Sequence, residues 1–237
     1  MLSKDHISGS KPIAFDTGDE QLVFYKKEGN GPNRIKAKGS FEPWVWGDSL
    51  IFVAGKRGSG KSTFANLYIK SYTEATDGKV FLISRFEKDP SIKLPERSLH
   101  IPIEDIKSVE IDDLSNSLVV FDDIANAQLT AQQIRQLYAF LHDVIQNSRH
   151  YNTKVLITSH QVCDYSRTRE VLNECSAVVV YPQHANRYQI ERALKIYFGM
   201  NKEQVDEIMN IEDSRWVYVN TVEPKFVMTQ KEIWTYK

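Results

Sequence analysis

The chain has 237 residues, of which 41% are hydrophobic and 26% are charged, a composition typical of a globular protein with one large core. This composition excludes a disordered, tail-like protein. The 30 basic side chains (Lys and Arg) balance 31 acidic ones and leave a formal net charge of −1. No broad basic field therefore indicates nucleic acid or an anionic membrane as a partner.

The apolar runs of the chain are short. Leu50–Ala54 and residues 118–121 and 177–181 fall far below the roughly 20 apolar residues that cross a bilayer, and residues 1–10 contain no signal-peptide core. Cys163 and Cys175 are too few for a disulfide framework or a zinc site, which agrees with a reducing compartment. We therefore expect a cytosolic protein without a transmembrane segment or a secretion signal.

The first 40 residues are polar and rich in Gly, Lys and Ser, with one predicted strand at residues 22–25. They include a locally basic stretch: Lys26, Lys27, Arg34, Lys36 and Lys38. We interpret residues 1–46 as a largely solvated N-terminal arm or edge extension. No linker is visible after it, so residues 47–237 are predicted to form a single domain.

From Leu50 onward, short apolar runs alternate with amphipathic stretches, a pattern that predicts β-α-β units and a mostly parallel sheet. The predicted core strands are Leu50–Ala54 and residues 80–84, 118–122, 155–159 and 177–181. Apolar residues at helical spacing predict a long helix over residues 131–148, with Thr130 and Gln133 as a capping box.

After the fifth strand, Ile190, Leu194 and Tyr197 predict a helix that ends before Gly199, and Asn201 is a candidate cap for a shorter helix. Residues 216–219 and 225–228 look like a terminal antiparallel pair. The predicted fold class is α/β, with a mostly parallel central sheet flanked by helices and a small C-terminal antiparallel extension.

Residues 55–62 read GKRGSGKS and match the phosphate-binding pattern G-x-x-x-x-G-K-[ST] between a predicted strand and a predicted helix. An ordinary glycine-rich turn is the alternative, but a chance match in a chain of this length has a probability of roughly 1%. Lys61 would bridge the β- and γ-phosphates of ATP, and the Ser62 hydroxyl would bind Mg²⁺. The predicted ATP-binding residues are Gly55, Lys56, Arg57, Gly58, Ser59, Gly60, Lys61, Ser62 and Thr63.

Asp122 and Asp123 end an apolar strand, as expected of a Walker B element. Asp122 would hold Mg²⁺, and Asp123 would orient or deprotonate the attacking water. Two acids at a strand end can also be ordinary turn residues. The second acid favours a hydrolase with its own catalytic base over a small-molecule kinase.

Residues 155–161 form a third apolar strand with a polar cluster at its carboxyl end. In an open parallel sheet this edge carries the ligand, so one of these side chains could contact the γ-phosphate and sense hydrolysis. Gln161 is the first choice for this role, with Ser159 and His160 as alternatives. Ordinary loop polarity remains the plain interpretation.

These motifs together resemble the FtsK-HerA superfamily of ring-forming motors over residues 50–219. The resemblance is carried by the P-loop, by Asp122 and Asp123, and by NSRHY at residues 147–151 leading into a strand that ends TSHQ at residues 158–161. Within that superfamily, the chain is most similar to the poxvirus-type genome-packaging ATPases of large DNA viruses and their membrane-containing relatives. The Phe-Asp-Asp strand end and the Arg149-His150 pair carry this narrower match.

The resemblance implies a RecA-like P-loop ATPase of the ASCE type that uses ATP and Mg²⁺. It implies a homo-oligomeric ring that pumps double-stranded DNA into a preformed capsid, in the host cytoplasm and possibly the virion, with capsid-vertex or inner-membrane proteins as partners. It also implies that Arg149 acts across the subunit boundary. The alternative for Arg149 is a favourable charge at a helix C-terminus, and Arg135, Arg167 and Arg169 compete for the finger role.

Two departures limit the resemblance. The second Walker B acid is Asp123, where many relatives have Glu, and the chain has no room for a nuclease domain. A nucleotide or small-molecule kinase, and a ring ATPase acting on protein in assembly or secretion, remain alternative functions.

Several contact residues stay open. Residues 86–97 are a pore loop or a surface excursion, and the adenine contact is unassigned. The candidate DNA contacts are Lys56, Arg57, Lys88, Lys93 and Arg97, and the candidate adenine contacts are Tyr165, Tyr181 and His184.

Overall fold

The computed structural model describes residues 1–6, 8–27, 31–45, 49–85, 91–123, 129–164 and 167–236. Within these ranges the strands are β1 (Leu2–Ser3), β2 (Lys11–Asp16), β3 (Gln21–Tyr25), β4 (Arg34–Lys36), β5 (Phe41–Pro43), β6 (Leu50–Ala54), β7 (Lys79–Ser84), β8 (Ser98–Pro102), β9 (Ser117–Phe121), β10 (Lys154–Ser159), β11 (Ala177–Val180), β12 (Val217–Asn220), β13 (Phe226–Met228) and β14 (Glu232–Thr235). The helices are α1 (Lys61–Ala75), α2 (Ala131–Asn147), α3 (Arg169–Glu174), α4 (Arg187–Ile196) and α5 (Lys202–Met209), with short 3₁₀ helices at Ile103–Ser108 and Ile111–Leu114.

The main sheet has ten strands in the order β4-β14-β13-β12-β11-β6-β10-β9-β7-β8. The six strands from β11 to β8 in this order run parallel to one another. Beyond β11, the strands β12, β13, β14 and β4 extend the sheet in antiparallel fashion. The α/β fold with a parallel core and an antiparallel C-terminal extension is thus confirmed. Strand β10 lies between the P-loop strand β6 and the acidic strand β9, so three polar strand ends meet at one edge.

The central strands are buried on both faces, which explains why they read as continuous apolar runs in the sequence. Along β6, Phe52 and Ala54 pack into a core with α2, α3, α4 and α5, whereas Ile51 and Val53 pack into a second core with α1. The sheet is therefore covered by helices on both sides.

The predicted helices are present. Helix α2 begins after its N-cap residue Thr130, which forms a capping box with Gln133. The Thr130 hydroxyl accepts a 3.2 Å hydrogen bond from the Gln133 N–H. Helix α5 begins after Asn201, which forms a second capping box with Gln204. Helix α4 ends at Ile196, and Gly199 then adopts the left-handed backbone (φ 62°) that turns the chain.

The N-terminal segment differs from expectation. Strands β1, β3, β2 and β5 form a separate antiparallel sheet, and β4 pairs with β14 at the edge of the main sheet. Ile13, Val23 and Phe41 are buried in the same core as α1, so the expectation of a largely solvated arm is wrong. The apolar alternation of β2 is hidden by Lys11 and Pro12 and by an irregular register after Pro12.

Ion pairs occupy most of the basic stretch near the N-terminus. Arg34 pairs with Glu207 and Glu232, Lys36 also pairs with Glu232, and Lys38 pairs with Asp19. This stretch is therefore largely neutralised by the fold. None of the helices within the described ranges has the length and apolar character needed to span a bilayer.

Candidate nucleotide site

The candidate site lies at the carboxyl edge of the parallel sheet, where β6, β10 and β9 end side by side. Chain segments far apart in sequence meet there around a cleft of about 510 Å³. The described residues that line the cleft are Arg57, Gly58, Gly60, Lys61, Ser62, Thr63, Ser91, Asp122, Asp123, His160 and Arg215.

Glycines give the loop between β6 and α1 its shape. Gly58 (φ 79°) and Gly60 (φ 111°) adopt left-handed backbone, which side chains with a Cβ rarely do. A Cβ on Gly55 would lie 2.6 Å from both Ser59 Oγ and Tyr181 Cδ2, so the loop packs directly on Tyr181. The loop then leads into the N-terminus of α1, where backbone N–H groups and the helix dipole favour a phosphate group.

Lys61, the first residue of α1, turns back over the loop. Its Nζ donates to the Gly55 carbonyl at 2.9 Å and to the Lys56 carbonyl at 3.3 Å. Burial lowers the pKa of the Lys61 ammonium, and the nearby Asp123 and Asp122 carboxylates oppose that effect. The ammonium is therefore held at the loop before any ligand enters.

Thr158 fixes the two acids at the end of β9. The register of β10 and β9 pairs Ile157 with Phe121, so Thr158 follows at the level of Asp122. The Thr158 hydroxyl donates a 2.6 Å hydrogen bond to Asp122 Oδ1 and accepts a 2.8 Å hydrogen bond from the Asp123 N–H. One hydroxyl thus positions the first carboxylate and the backbone of the second.

Asp123 has an unusual backbone and an unsatisfied carboxylate oxygen. Its φ of 52° is rare for a residue other than glycine, a feature often found at functional sites. Its Oδ1 is buried and has no hydrogen-bond partner among the described residues. The Asp123 side chain nevertheless lines the cleft, and its other oxygen, Oδ2, lies on the side of His160.

His160 connects Asp123 with Lys61. Its Nδ1 lies 3.2 Å from Lys61 Nζ, and its Nε2 lies 3.4 Å from Asp123 Oδ2. Because an ammonium can only donate, Nδ1 accepts, and the ring proton is on Nε2 facing the Asp123 carboxylate.

The three candidates for a γ-phosphate sensor lie in different environments. His160 lines the cleft. Ser159 is buried, and its hydroxyl accepts a 3.1 Å hydrogen bond from the Gln161 N–H. Gln161 is exposed and is not among the described residues that line the cleft.

Arg149 lies at the other edge of the sheet, in the turn between α2 and β10. It is exposed and lines a separate cavity of about 180 Å³ at the amino ends of β6, β10 and β11, together with Ser49, Thr153 and Ser176. Its competitors Arg135, Arg167 and Arg169 are also not among the described residues lining the nucleotide cleft. Arg149 therefore cannot reach the P-loop of its own chain.

Two residues that line the cleft, Ser91 and Arg215, and the buried Thr158 behind Asp122 carry no role predicted from the sequence. Thr158 was part of the polar strand end but received no function, and Ser91 donates a 3.2 Å hydrogen bond to the Ser62 hydroxyl. Arg215, just before β12, donates from its guanidinium to the carbonyls of Gly58 and Ser59. No local sequence pattern points to Arg215, because its contacts lie more than a hundred residues away.

The two candidate adenine contacts within the described residues, Tyr181 and His184, differ in burial. Tyr181 is fully buried against Gly55, and burial raises the pKa of its hydroxyl. We therefore read it as a packing residue. His184 is exposed, and Tyr165 lies outside the described residues.

Comparisons with known proteins show the family and the fold of the chain. The sequence profile of the AAA domain family matches residues 47–182. The uncharacterised protein V3 of the Sputnik virophage is 33% identical over 239 residues, which cover 95% of this chain and 94% of V3.

Solved structures show the fold. The genome packaging NTPase B204 of Sulfolobus turreted icosahedral virus 2, in complex with AMPPCP, has a TM-score of 0.55 at 10% identity, covering 77% of this chain and 98% of B204. VirB4 of Thermoanaerobacter pseudethanolicus has a TM-score of 0.58 at 11% identity and covers 97% of both chains. The resemblance is thus confirmed at the level of the fold, which is shared with a genome packaging NTPase and with VirB4, while the narrower likeness to poxvirus-type ATPases stays a prediction. By its family match and its relative in the virophage, the chain belongs to the AAA domain family of ATP-hydrolysing P-loop enzymes.

Proposed function

We propose that this ATPase is a motor that translocates double-stranded DNA and packages a viral genome into a preformed capsid. The observation that carries the proposal is the convergence of P-loop, Asp122-Asp123 pair and polar β10 end in one cleft, on a fold shared with a genome packaging NTPase. The near full-length likeness to a virophage protein supports a role in a virus.

Magnesium suits the residues of the cleft. The Ser62 hydroxyl and the Asp122 carboxylate both line it, and Mg²⁺ is held in such sites by a few protein oxygens together with phosphate oxygens and water. The hydrogen bond from Thr158 to Asp122 Oδ1 holds that carboxylate in place. When bound, Mg²⁺ supplies charge neutralisation on the phosphate oxygens.

Lys61, Asp123 and the γ-phosphate sensor would each have a different role in hydrolysis. Lys61 is placed to bind the β- and γ-phosphates from the start of α1. Asp123 also lines the cleft, and its carboxylate would orient or deprotonate the attacking water. The sensor of the γ-phosphate is a choice between Gln161, which the motif favours, and His160, which the contacts to Lys61 and Asp123 favour.

The position of Arg149 supports a ring of subunits if this arginine acts on a nucleotide. An arginine at the amino edge of the sheet can complete only the site of another subunit, where its guanidinium would neutralise charge at the γ-phosphate. This geometry supports a homo-oligomer with active sites between neighbouring chains.

A ring also reconciles DNA binding with the net charge of −1. A few cations per subunit, repeated by symmetry, are sufficient to line a pore. Lys56, Arg57 and Lys93 are exposed candidates, and Arg97 pairs with Asp77 on the surface. Residues 86–90 of the proposed pore loop, including Lys88, lie outside the described residues.

Capsid-vertex or inner-membrane proteins are the further partners we propose, with assembly in the host cytoplasm and association with the virion. A ring ATPase that moves protein is the second candidate. The fold is shared as fully with VirB4 and also with the conjugation coupling protein TcpA (TM-score 0.52), so the fold alone does not select a DNA substrate.

The test measures the ATPase rate with and without double-stranded DNA, together with the mass of the oligomer. We expect an oligomer whose turnover rises with DNA and is abolished in Lys61→Ala. A monomer without DNA stimulation would favour the kinase alternative. An oligomer indifferent to DNA would favour a protein substrate.

A further inference from the structure

The second half of the P-loop is held by a side chain from the far end of the sequence. Arg215 Nε donates a 2.7 Å hydrogen bond to the Ser59 carbonyl, and Arg215 Nη2 donates a 2.7 Å hydrogen bond to the Gly58 carbonyl. Both distances are at the short end for N–H···O bonds, as expected when the donor is charged. The planar fork of a guanidinium points two N–H groups at neighbouring carbonyls in a fixed arrangement, whereas the N–H groups of an ammonium rotate freely.

Lys61 holds the first half of the loop, since its Nζ donates hydrogen bonds to the carbonyls of Gly55 and Lys56. Between them, the two cations engage carbonyls on both sides of Arg57. The Ser59 N–H is bound within the loop, to the Lys56 carbonyl at 3.1 Å. Little freedom is left to the backbone in this arrangement.

We propose that Arg215 is a positioning residue for the phosphate site, which acts by fixing the peptide planes of Gly58 and Ser59. A peptide bond is planar and trans, so a carbonyl held on one side fixes the direction of the N–H on the other. Holding the Ser59 carbonyl therefore orients the Gly60 N–H, which belongs to the same peptide group. A loop whose donors are already oriented binds phosphate without the entropic cost of ordering them.

Two features show that the arginine itself is held in place. Its backbone N–H donates a 2.9 Å hydrogen bond to Gln230 Oε1, and the Gln230 N–H donates a 3.0 Å hydrogen bond to Ser214 Oγ. Gly60 leaves it room, because a Cβ there would lie 3.1 Å from Arg215 Nε. The strand pair β12 and β13 is thereby connected to the P-loop.

The inference rests on ATP binding at the P-loop and not on DNA translocation. Its test measures the dissociation constants of ATP and ADP for the full chain in the absence of DNA. For Arg215→Ala we expect both nucleotides to bind about tenfold more weakly, equivalent to about 1.4 kcal/mol. The loss should be equal for ATP and ADP, because Arg215 acts through the loop and not on the γ-phosphate.

Arg215→Lys distinguishes geometry from charge. It keeps the cation but loses the fork, so we expect most of the loss seen with alanine to persist. Millimolar, non-denaturing guanidinium should restore part of the affinity of Arg215→Ala. Arg187→Ala is the matched control, because Arg187 is exposed on α4 and pairs with Glu191 away from the cleft.

Three outcomes would overturn the inference: unchanged affinity in Arg215→Ala, a loss confined to ATP, or full affinity in Arg215→Lys. If Arg215→Ala does not fold, Gln230→Leu serves instead, since it removes the acceptor of the Arg215 N–H and leaves the guanidinium present. It should weaken ATP and ADP equally by a smaller factor, and unchanged affinity there would contradict the inference.

Discussion

His160 Nδ1 lies 3.2 Å from Lys61 Nζ, so the residue that follows strand β10 is in direct contact with the lysine of the P-loop. The same ring reaches Asp123 Oδ2 through Nε2 at 3.4 Å. His160 therefore links the cation that would bind the phosphates to the acid that would orient water.

The first prediction separates His160 from Gln161 as the sensor. His160→Ala should reduce turnover about 100-fold, at the low end of effects for groups that position or transfer a proton. Gln161→Ala should have little effect on turnover, because Gln161 is exposed outside the cleft. Steady-state ATPase assays at saturating ATP measure both. If Gln161→Ala lost turnover while His160→Ala kept the wild-type rate, the result would instead support Gln161 as the sensor, as the motif predicts.

Two conservative variants of His160 refine this test. His160→Gln can place an amide near the Nε2 position, toward Asp123, whereas His160→Asn can place one near the Nδ1 position, toward Lys61. If the contact with Asp123 matters more for turnover, the Gln variant retains more activity than the Asn variant.

The second prediction concerns Thr158, whose hydroxyl serves both acids. Thr158→Val keeps the shape of the buried side chain but leaves the Asp123 N–H without its acceptor, so turnover should fall at least tenfold and the free energy of unfolding by about 1–2 kcal/mol. Thr158→Ser keeps the hydroxyl and should retain turnover, while losing about 1 kcal/mol for the missing methyl group. Urea unfolding and ATPase rates measure the two effects. Equal turnover in the two variants would contradict the role of the hydroxyl.

The sequence predicted the central strands well, because burial on both faces produces a continuous apolar run. It predicted candidate site residues best where a short motif directly follows such a run. Strand β6 is apolar at every position because it is covered on both faces, and the P-loop motif follows it immediately. Asp122 could be assigned for the same reason, since it ends the apolar strand β9. In both places neighbours in sequence are also neighbours in the site.

The elements that were missed depend on distant contacts. Strand β8 is at the edge of the sheet, and Leu99 within it is 57% exposed, so its sequence shows no buried run. The N-terminal sheet buries Ile13 and Phe41 against residues that come much later in the chain. The contacts of Arg215 with the P-loop likewise join the two ends of the domain, and no periodicity in either segment reports them.

The third prediction tests Arg149 as a residue that acts on a neighbouring subunit. Arg149 lies at the amino edge of the sheet, whereas its own P-loop is at the carboxyl edge. Arg149→Ala should bind ATP normally but lose turnover by about 10³-fold or more, the range seen for arginine fingers. In mixed oligomers the variant should inhibit wild-type subunits more than dilution alone explains. Activity strictly proportional to the wild-type fraction would rule out action in trans.

Arg135→Ala provides the matched comparison for that experiment. Arg135 is an exposed arginine on the same helix, α2, that leads to Arg149. In mixed oligomers, the Arg135→Ala variant should leave the activity proportional to the wild-type fraction. Inhibition by this variant alone would transfer the finger role from Arg149 to Arg135.

The fourth prediction concerns acid stability and the N-terminal sheet. Burial of Asp16 raises the pKa of its carboxyl, but hydrogen bonds from Lys4 and from the N–H groups of Lys38, Gly18 and Gly39 outweigh burial and lower the pKa from 3.8 to about 2. Because the folded pKa is below the unfolded one, the ionised carboxylate stabilises the fold above about pH 4. That contribution is lost as the pH falls towards 2.

Asp16→Asn should therefore lower the free energy of unfolding at pH 7 by about 2 kcal/mol, the equivalent of the pKa difference. It should also flatten the pH dependence of stability between about pH 4 and 2, because the group that titrates has been removed. Lys4 retains Asp19 as an ion-pair partner in this variant, so no cation is left without a carboxylate. Urea unfolding followed by tryptophan fluorescence from pH 7 down to the acidic range measures both effects, with the exposed Asp5→Asn as control. Parallel curves for the wild type and Asp16→Asn below pH 4 would show that this carboxylate does not carry the acid sensitivity of the fold.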